Sequence, residues 1–280
     1  MDQTEFRLMF KVNKMKTEYL IYLNHKIAYT DEGKGKVIVL LHGFLESKEI
    51  WEHFIQKLSK HHRVIAIDLP GHGKTDKFYK KHSMEMMARV VKSILDKLEI
   101  KKCIVAGHSM GGYVTLAFAE LFPKSLKGFA LINSTSYEDS IEKKADRLRA
   151  IELIKKDRLN YISDLINKLF AHENLKKFHD EIEKCKAIAR HTLKDGAIAA
   201  LHGMRERKDR TSALMDANCP VFFVYGIKDI VIPFEKNVPL SLLPHKHKVS
   251  ITEASGHMTF IEDADTTYKR FREFIKYCLK

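Results

Sequence analysis

The chain has 280 residues, 45% of them apolar and 30% charged, proportions that exclude a disordered, collagenous or low-complexity protein and suit one large α/β domain or a domain carrying an insertion. Lys and Arg outnumber Asp and Glu by 49 to 36, a formal charge of +13. The excess is diffuse: residues 137–215 hold 18 basic against 14 acidic side chains, and groups such as Lys77, Lys80 and Lys81 lack interleaved aromatics, so a solvated Lys-rich surface is expected and no nucleic-acid partner.

In chain order, Met1–Phe10 is acidic before a short apolar patch and has no basic segment followed by a long apolar one, so no signal peptide is expected. The longest apolar runs, such as Val37 to Leu41 and Val221 to Tyr225, fall short of the roughly 20 residues of a membrane helix. No membrane partner and a cytoplasmic location are expected. Tyr19–Leu23 and Lys26–Thr30 alternate about Asn24-His25, which predicts an antiparallel hairpin. Strands are then predicted at 37–41, 63–67, 102–106 and 127–132, with helices at 47–60, 83–98 and 110–122 between them. Uninterrupted apolar strands joined by helices imply a parallel sheet covered on both faces.

That alternation stops at Asn133-Ser134. From 137 to 215 the periodicity is helical, with apolar stripes Ile151-Ile154, Leu159-Ile162-Leu165-Ile166-Leu169, Ile182-Cys185-Ile188-Ala189 and Ala197-Ala200-Leu201-Met204. A strand returns at 220–225, followed by a short helix from 234, a strand at 247–252 and a closing helix over 260–279. An all-helical block between two strands of one sheet reads as an insertion. The expected division is a core of residues 1–136 and 216–280 with a helical cap at 137–215, placed above the carboxyl ends of the strands. Cys103, Cys185, Cys219 and Cys278 are too scattered for a zinc or redox pair and are expected to be reduced; no metal and no cofactor are expected.

Gly107-His108-Ser109-Met110-Gly111 lies between a predicted strand and a predicted helix. The glycines relieve the clash of a tight strand-to-helix turn, which leaves Ser109 exposed as a nucleophile. A serine needs a base, and the base a carboxylate to orient it; in an α/β sheet these gather at the strand carboxyl ends in the chain order Ser, Asp, His. Of 15 histidines, His257 directly follows the last strand, whereas His245 and His247 precede it. Asp229 is the only carboxylate in the loop Gly226–Pro233, and the loop after 127–132 offers Asn133-Ser134-Thr135-Ser136 with no acid before Glu138. The N–H of Met110 and the N–H of Phe44, in Leu41-His42-Gly43-Phe44-Leu45-Glu46, are the expected oxyanion donors. His42 is expected to hold that loop by hydrogen bonds.

Leu41-His42-Gly43-Phe44, Asp68-Leu69-Pro70-Gly71-His72-Gly73, Gly107 to Gly112, Gly226-Ile227-Lys228-Asp229 and Ser255-Gly256-His257 resemble the successive signatures of the α/β-hydrolase superfamily, in its cap-bearing serine esterase and lactonase branch. The resemblance covers residues 18–280 apart from the cap. It implies an eight-stranded, mostly parallel sheet with helices on both faces and an all-helical cap insertion, and it makes Asp68 to Gly73 a structural turn near the pocket. A serine in place of an aspartate nucleophile argues against haloalkane dehalogenase or epoxide hydrolase chemistry. The menaquinone-pathway lyase that makes a succinyl-cyclohexadiene carboxylate is similar too, but carries an arginine after the Gly-Gly pair where this chain has Tyr113; Arg147, Arg149, Arg190 and Arg207 of the cap are other cations for such a substrate.

The expected function is hydrolysis of a small carboxylic ester, thioester or lactone through Ser109, His257 and Asp229. The alternative is a ligand receptor or signalling protein that keeps the same residues but turns over slowly or once. The pocket is expected to include Phe44, Leu45, Trp51, Met110, Tyr113, Met258 and apolar cap residues around 151–170.

Overall fold

The computed structural model describes residues 15–280; the stretch Met1–Phe10 lies outside the described residues. β1 (Glu18–Tyr22) and β2 (His25–Glu32) form the expected hairpin, with Tyr22 paired to His25. Its turn is Leu23-Asn24, one residue earlier than the sequence suggests, at φ 50 and 62. A two-residue connection needs positive φ at both positions to match the twist of the strands.

β3 (Val37–Leu41), β4 (Arg63–Ile67), β5 (Cys103–His108), β6 (Leu126–Ile132), β7 (Val221–Gly226) and β8 (His247–Thr252) complete one eight-stranded sheet ordered β1-β2-β4-β3-β5-β6-β7-β8. Only β1 with β2 and β2 with β4 run antiparallel; the rest of the sheet is parallel. β5 and β7 are buried along their whole length, which is why their sequences are continuously apolar rather than alternating. β5 extends beyond the predicted strand 102–106 and runs through Gly107 to His108, so the sheet delivers the chain directly to Ser109.

A 3₁₀ turn (Lys48–Trp51) leads into α1 (Glu52–Leu58), and α2 (Met84–Lys97) and α3 (Met110–Leu121) follow. Between β6 and β7 lie α4 (Ile141–Leu169), α5 (His179–His191), α6 (Lys194–Arg205) and α7 (Thr211–Met215). α4 is broken at Asp157 (φ −150, ψ 85), whose carboxylate accepts the Asn160 N–H at 3.1 Å and caps the second segment. The stripes at 151–154 and 162–169 therefore belong to different helical segments. Leu159, read as core, is 57% exposed because it sits in the turn that restarts the helix. After β7 come α8 (Phe234–Asn237), α9 (Thr259–Glu262) and α10 (Ala264–Cys278); the predicted closing helix over 260–279 is interrupted at Asp263, φ −137 and ψ 60.

The helices of 141–215 share the core of the sheet. Ile151, Ile154, Ile162, Ile166, Ala200 and Leu201 belong to the same apolar cluster as Val39, Ala106 and Val224. α6 reaches the turn after β4 through glycine: a Cβ at Gly196 would overlap the carbonyl of Gly71, and one at Gly203 the carbonyl of His82. The His82 N–H donates to the Ala199 carbonyl at 2.9 Å beside that contact. No helix of the described residues is long and apolar enough to cross a membrane.

Candidate active site

Ser109 stands between β5 and α3 with φ 49 and ψ −114, a left-handed conformation that costs a non-glycine residue of order 1–3 kcal/mol. Neighbours hold it there. Its N–H donates to the Ile132 carbonyl at 3.0 Å, and its carbonyl accepts from the Gly112 N–H at 2.9 Å and from Ser134 Oγ at 2.9 Å. A side chain at Gly107 would overlap the Gly111 carbonyl, and one at Gly111 the carbonyls of Leu41 and His42. The start of α3 is thereby pressed against the end of β3. The Ser109 side chain is half-buried and its hydroxyl forms no hydrogen bond among the described residues.

His257 and Asp229 meet at the carboxyl ends of β8 and β7. His257 Nδ1 lies 2.7 Å from Asp229 Oδ2, and both side chains are buried. A carboxylate can only accept, so Nδ1 carries the proton and Nε2 is free to take one. Asp229 Oδ1 accepts from the Val231 and Ile232 N–H groups at 2.9 and 2.8 Å, and Oδ2 from Asn133 Nδ2 at 3.0 Å. Burial pushes the Asp229 carboxyl up, but the charge and hydrogen bond of His257, with these donors, outweigh it and hold the group below the usual carboxylate range. The backbone of His257 is fixed as well: its N–H donates to the Leu169 carbonyl at 2.7 Å, at the end of α4.

Asn133 has no role in the sequence reading, where its loop is passed over for want of an acid. It is fully buried at φ 47, donates to Asp229 and to the Gly256 carbonyl at 3.2 Å, and accepts from Thr259 Oγ1 at 2.6 Å. One amide thus ties together the loops after β6, β7 and β8.

The loop after β3 carries a second buried network. His42 Nδ1 donates to the Gly43 carbonyl at 2.7 Å while Nε2 accepts the Leu69 N–H at 2.9 Å, so both ring nitrogens are spent on backbone and the ring is neutral. Burial lowers its pKa against the pull of Asp68. Glu46 Oε2 accepts the Gly43 N–H at 2.6 Å, and Glu46 Oε1 lies 3.0 Å from His108 Nδ1. His108 Nε2 is 2.9 Å from the His257 carbonyl oxygen. Both partners of this ring are acceptors only, so His108 donates from both nitrogens and is an imidazolium. Burial opposes that charge, but Glu46 and the His257 carbonyl prevail and raise the pKa of His108; burial likewise pushes Glu46 up, but the charge and hydrogen bond of His108, with the Gly43 N–H, outweigh it and depress Glu46. Neither Glu46 nor His108 stands out in the sequence, because their partner lies 62 residues away and only the fold brings them together.

The Phe44 and Met110 N–H groups donate to no protein acceptor among the described residues. Leu45, the residue after Phe44, takes φ 59, so Leu45, Ser109 and Asn133 place positive-φ residues on the loops after β3, β5 and β6. Of the expected pocket residues, Phe44 keeps exposed surface and Tyr113 is 4% exposed, while Leu45, Met110 and Met258 are buried. Trp51 is wholly buried, its ring packed on Phe260 at 4.5 Å and Phe54 at 5.7 Å, and so builds core between α1 and α9. Asp68 caps the structural turn expected of it, accepting the Lys48 and Lys74 N–H groups at 2.7 and 3.0 Å.

A family profile described as alpha/beta hydrolase fold matches residues 36–264. The chain belongs to the α/β-hydrolase family. Among curated relatives of this α/β-hydrolase, the dihydrolipoyllysine-residue acetyltransferase component of the acetoin cleaving system of Pseudomonas putida is 29% identical over 246 residues, 86% of this chain; the chain spans 64% of that protein's length. A thermophilic esterase from Thermogutta terrifontis, solved with malate bound, superposes with a TM-score of 0.89 at 26% identity, covering 94% of this chain and 99% of that one. The enol-lactonase from Burkholderia xenovorans LB400 superposes with a TM-score of 0.86 at 21% identity, over 92% and 100% of the two chains, and shares the fold.

Proposed function

We propose that this α/β-hydrolase is a serine hydrolase of small carboxylic esters, thioesters or lactones. The observation that carries the reading is the buried His257–Asp229 contact of 2.7 Å, joined to the strained turn at Ser109 through its chain neighbour His108, whose Nε2 is 2.9 Å from the His257 carbonyl oxygen. Such strain persists only where the surroundings over-determine it, and it collects where chemistry is done. The membership of the family and the superposition with an esterase at 26% identity support the same reaction class.

In this reading His257 Nε2 takes the Ser109 hydroxyl proton as Ser109 Oγ bonds to the carbonyl carbon, and Asp229 stabilises the imidazolium that results. The Phe44 and Met110 N–H groups hold the oxyanion, each worth on the order of 3 kcal/mol. The ester C–O bond breaks as His257 returns its proton to the leaving oxygen. Water, deprotonated by the same imidazole, then attacks the acyl carbon; the bond to Ser109 Oγ breaks, His257 returns the proton to that oxygen, and the acid leaves. Steady-state hydrolysis of p-nitrophenyl acetate tests this: Ser109→Ala should lose activity by a factor on the order of a thousand or more while keeping its thermal midpoint. A variant as active as the parent overturns the nucleophile. The receptor reading is separated by counting turnovers, since release that stops after one equivalent with a lasting Ser109 adduct favours it over an enzyme.

A further inference from the structure

The first segment of α4 places two cations one helical turn apart, Lys143 and Arg147, on one face. Like charges at that spacing repel, and the surroundings neutralise them only in part. Arg147 gives only its Nε, at 3.1 Å, to Asp139, and its four Nη hydrogens have no protein acceptor among the described residues although the side chain is only 16% exposed. Asp139 is already committed to Arg207 through Oδ1 at 2.6 Å. Lys143 Nζ has the Val231 carbonyl at 3.5 Å and, among the described residues, no carboxylate; Asp146 on the same helix pairs with Arg149. Arg147 and Arg207 therefore share one buried carboxylate, and Lys143 beside them pairs with none among the described residues.

The cluster is linked to the candidate active site through two neighbours of its residues. Arg207 lies 4.0 Å above the ring of Tyr113, whose N–H is bonded to the Ser109 carbonyl. Val231, which Lys143 touches, donates its N–H to Asp229. In the second segment of α4, burial drives the Tyr161 phenol up to about 12 while the Arg147 charge pulls it back. Burial and the neighbouring Arg147 charge depress the Lys143 ammonium, a penalty that a bound anion relieves.

We propose that Arg147 and Lys143 form an anion subsite and that the substrate is an ester carrying a carboxylate. The guanidinium fork is the group that matches a carboxylate with paired, charge-assisted hydrogen bonds. This rests on the ester-hydrolase reading above and narrows it.

Two carboxylate esters, mono-p-nitrophenyl adipate on the acyl side and p-carboxyphenyl butyrate on the alcohol side, are compared with neutral p-nitrophenyl butyrate by kcat/KM. The parent enzyme is expected to prefer one carboxylate ester, and Arg147→Met and Lys143→Met to reduce that anionic-to-neutral ratio on the order of tenfold to a hundredfold. Lys143, on the outer side of the cluster, carries the test if Arg147→Met does not fold. A parent that prefers the neutral ester, or ratios unchanged in both variants, overturns the subsite while leaving the hydrolase reading standing. If none of the esters is turned over, the hydrolase reading has failed, and calorimetric titration with adipate judges the subsite alone: binding that Arg147→Met abolishes supports it, and absence of binding to the parent overturns it.

Discussion

At the scale of single residues, the account turns on which groups hold protons. Asp229 fixes the Nδ1–H tautomer of His257 through a 2.7 Å bond, so Asp229→Asn should lower kcat on the order of ten-thousandfold with little change in KM, measured with p-nitrophenyl acetate; a loss confined to KM contradicts the orienting role. The His108–Glu46 pair has a different signature. Glu46 is held below its ordinary pKa and His108 above its own, so the Glu46 contribution to stability is lost as pH falls through its depressed value, and the His108 contribution as pH rises through its raised one. Thermal midpoints followed from about pH 6 to pH 10 should fall on the alkaline side of the ordinary histidine range. Glu46→Gln should be less stable by about 3–5 kcal/mol near neutrality and should lose that alkaline step; curves that stay parallel contradict the imidazolium assignment. Ser109, Asp229 and His257 were legible in the sequence because each sits just past the end of a strand that reads as strand. Asn133, Glu46 and His108 were not, because each acts by joining loops from strands that are far apart in the chain.

At the scale of elements, close packing of backbones decides what is tolerated. α6 lies so near the loop before α2 that Gly203 has no room for a methyl group against the His82 carbonyl. Gly203→Ala should therefore destabilise by about 1–3 kcal/mol through overpacking, a fall in thermal midpoint of several degrees, despite the better helix propensity of alanine. An unchanged or raised midpoint would show that α6 is not held in this position. The helical stripes of 137–215 gave the existence of these helices, but not the break at Asp157 or the exposure of Leu159, because periodicity alone is continuous across a residue that leaves helical φ and ψ. Cation clusters were equally opaque: several cap arginines were visible, and only the packing of α4 separates Arg147, with free Nη hydrogens, from Arg149, paired to Asp146.

At the scale of the whole molecule, the parallel sheet brings the loops after β3, β5, β6, β7 and β8 to the carboxyl end of its strands, and the stretch between β6 and β7 bonds to the last of them at His257 and Ala254. Exposed ion pairs between those helices and the rest, such as Lys81–Glu206 and Lys208–Glu120, contribute little. The stronger ties are buried, the His257 N–H on the Leu169 carbonyl and Glu262 accepting the Ala171 N–H at 2.9 Å and Asn174 Nδ2 at 2.7 Å, and the buried Arg210 adds a fork to the half-exposed Glu85 and Glu120. With one continuous apolar cluster beneath them, the described residues should unfold in a single calorimetric transition, and two resolved transitions would contradict a shared core.

The most direct measurement of the central claim is labelling with a fluorophosphonate followed by peptide mapping. The account predicts one equivalent of adduct on Ser109, slowed by Asp229→Asn and absent from Ser109→Ala. Label on another residue, or none on a folded protein, would contradict it.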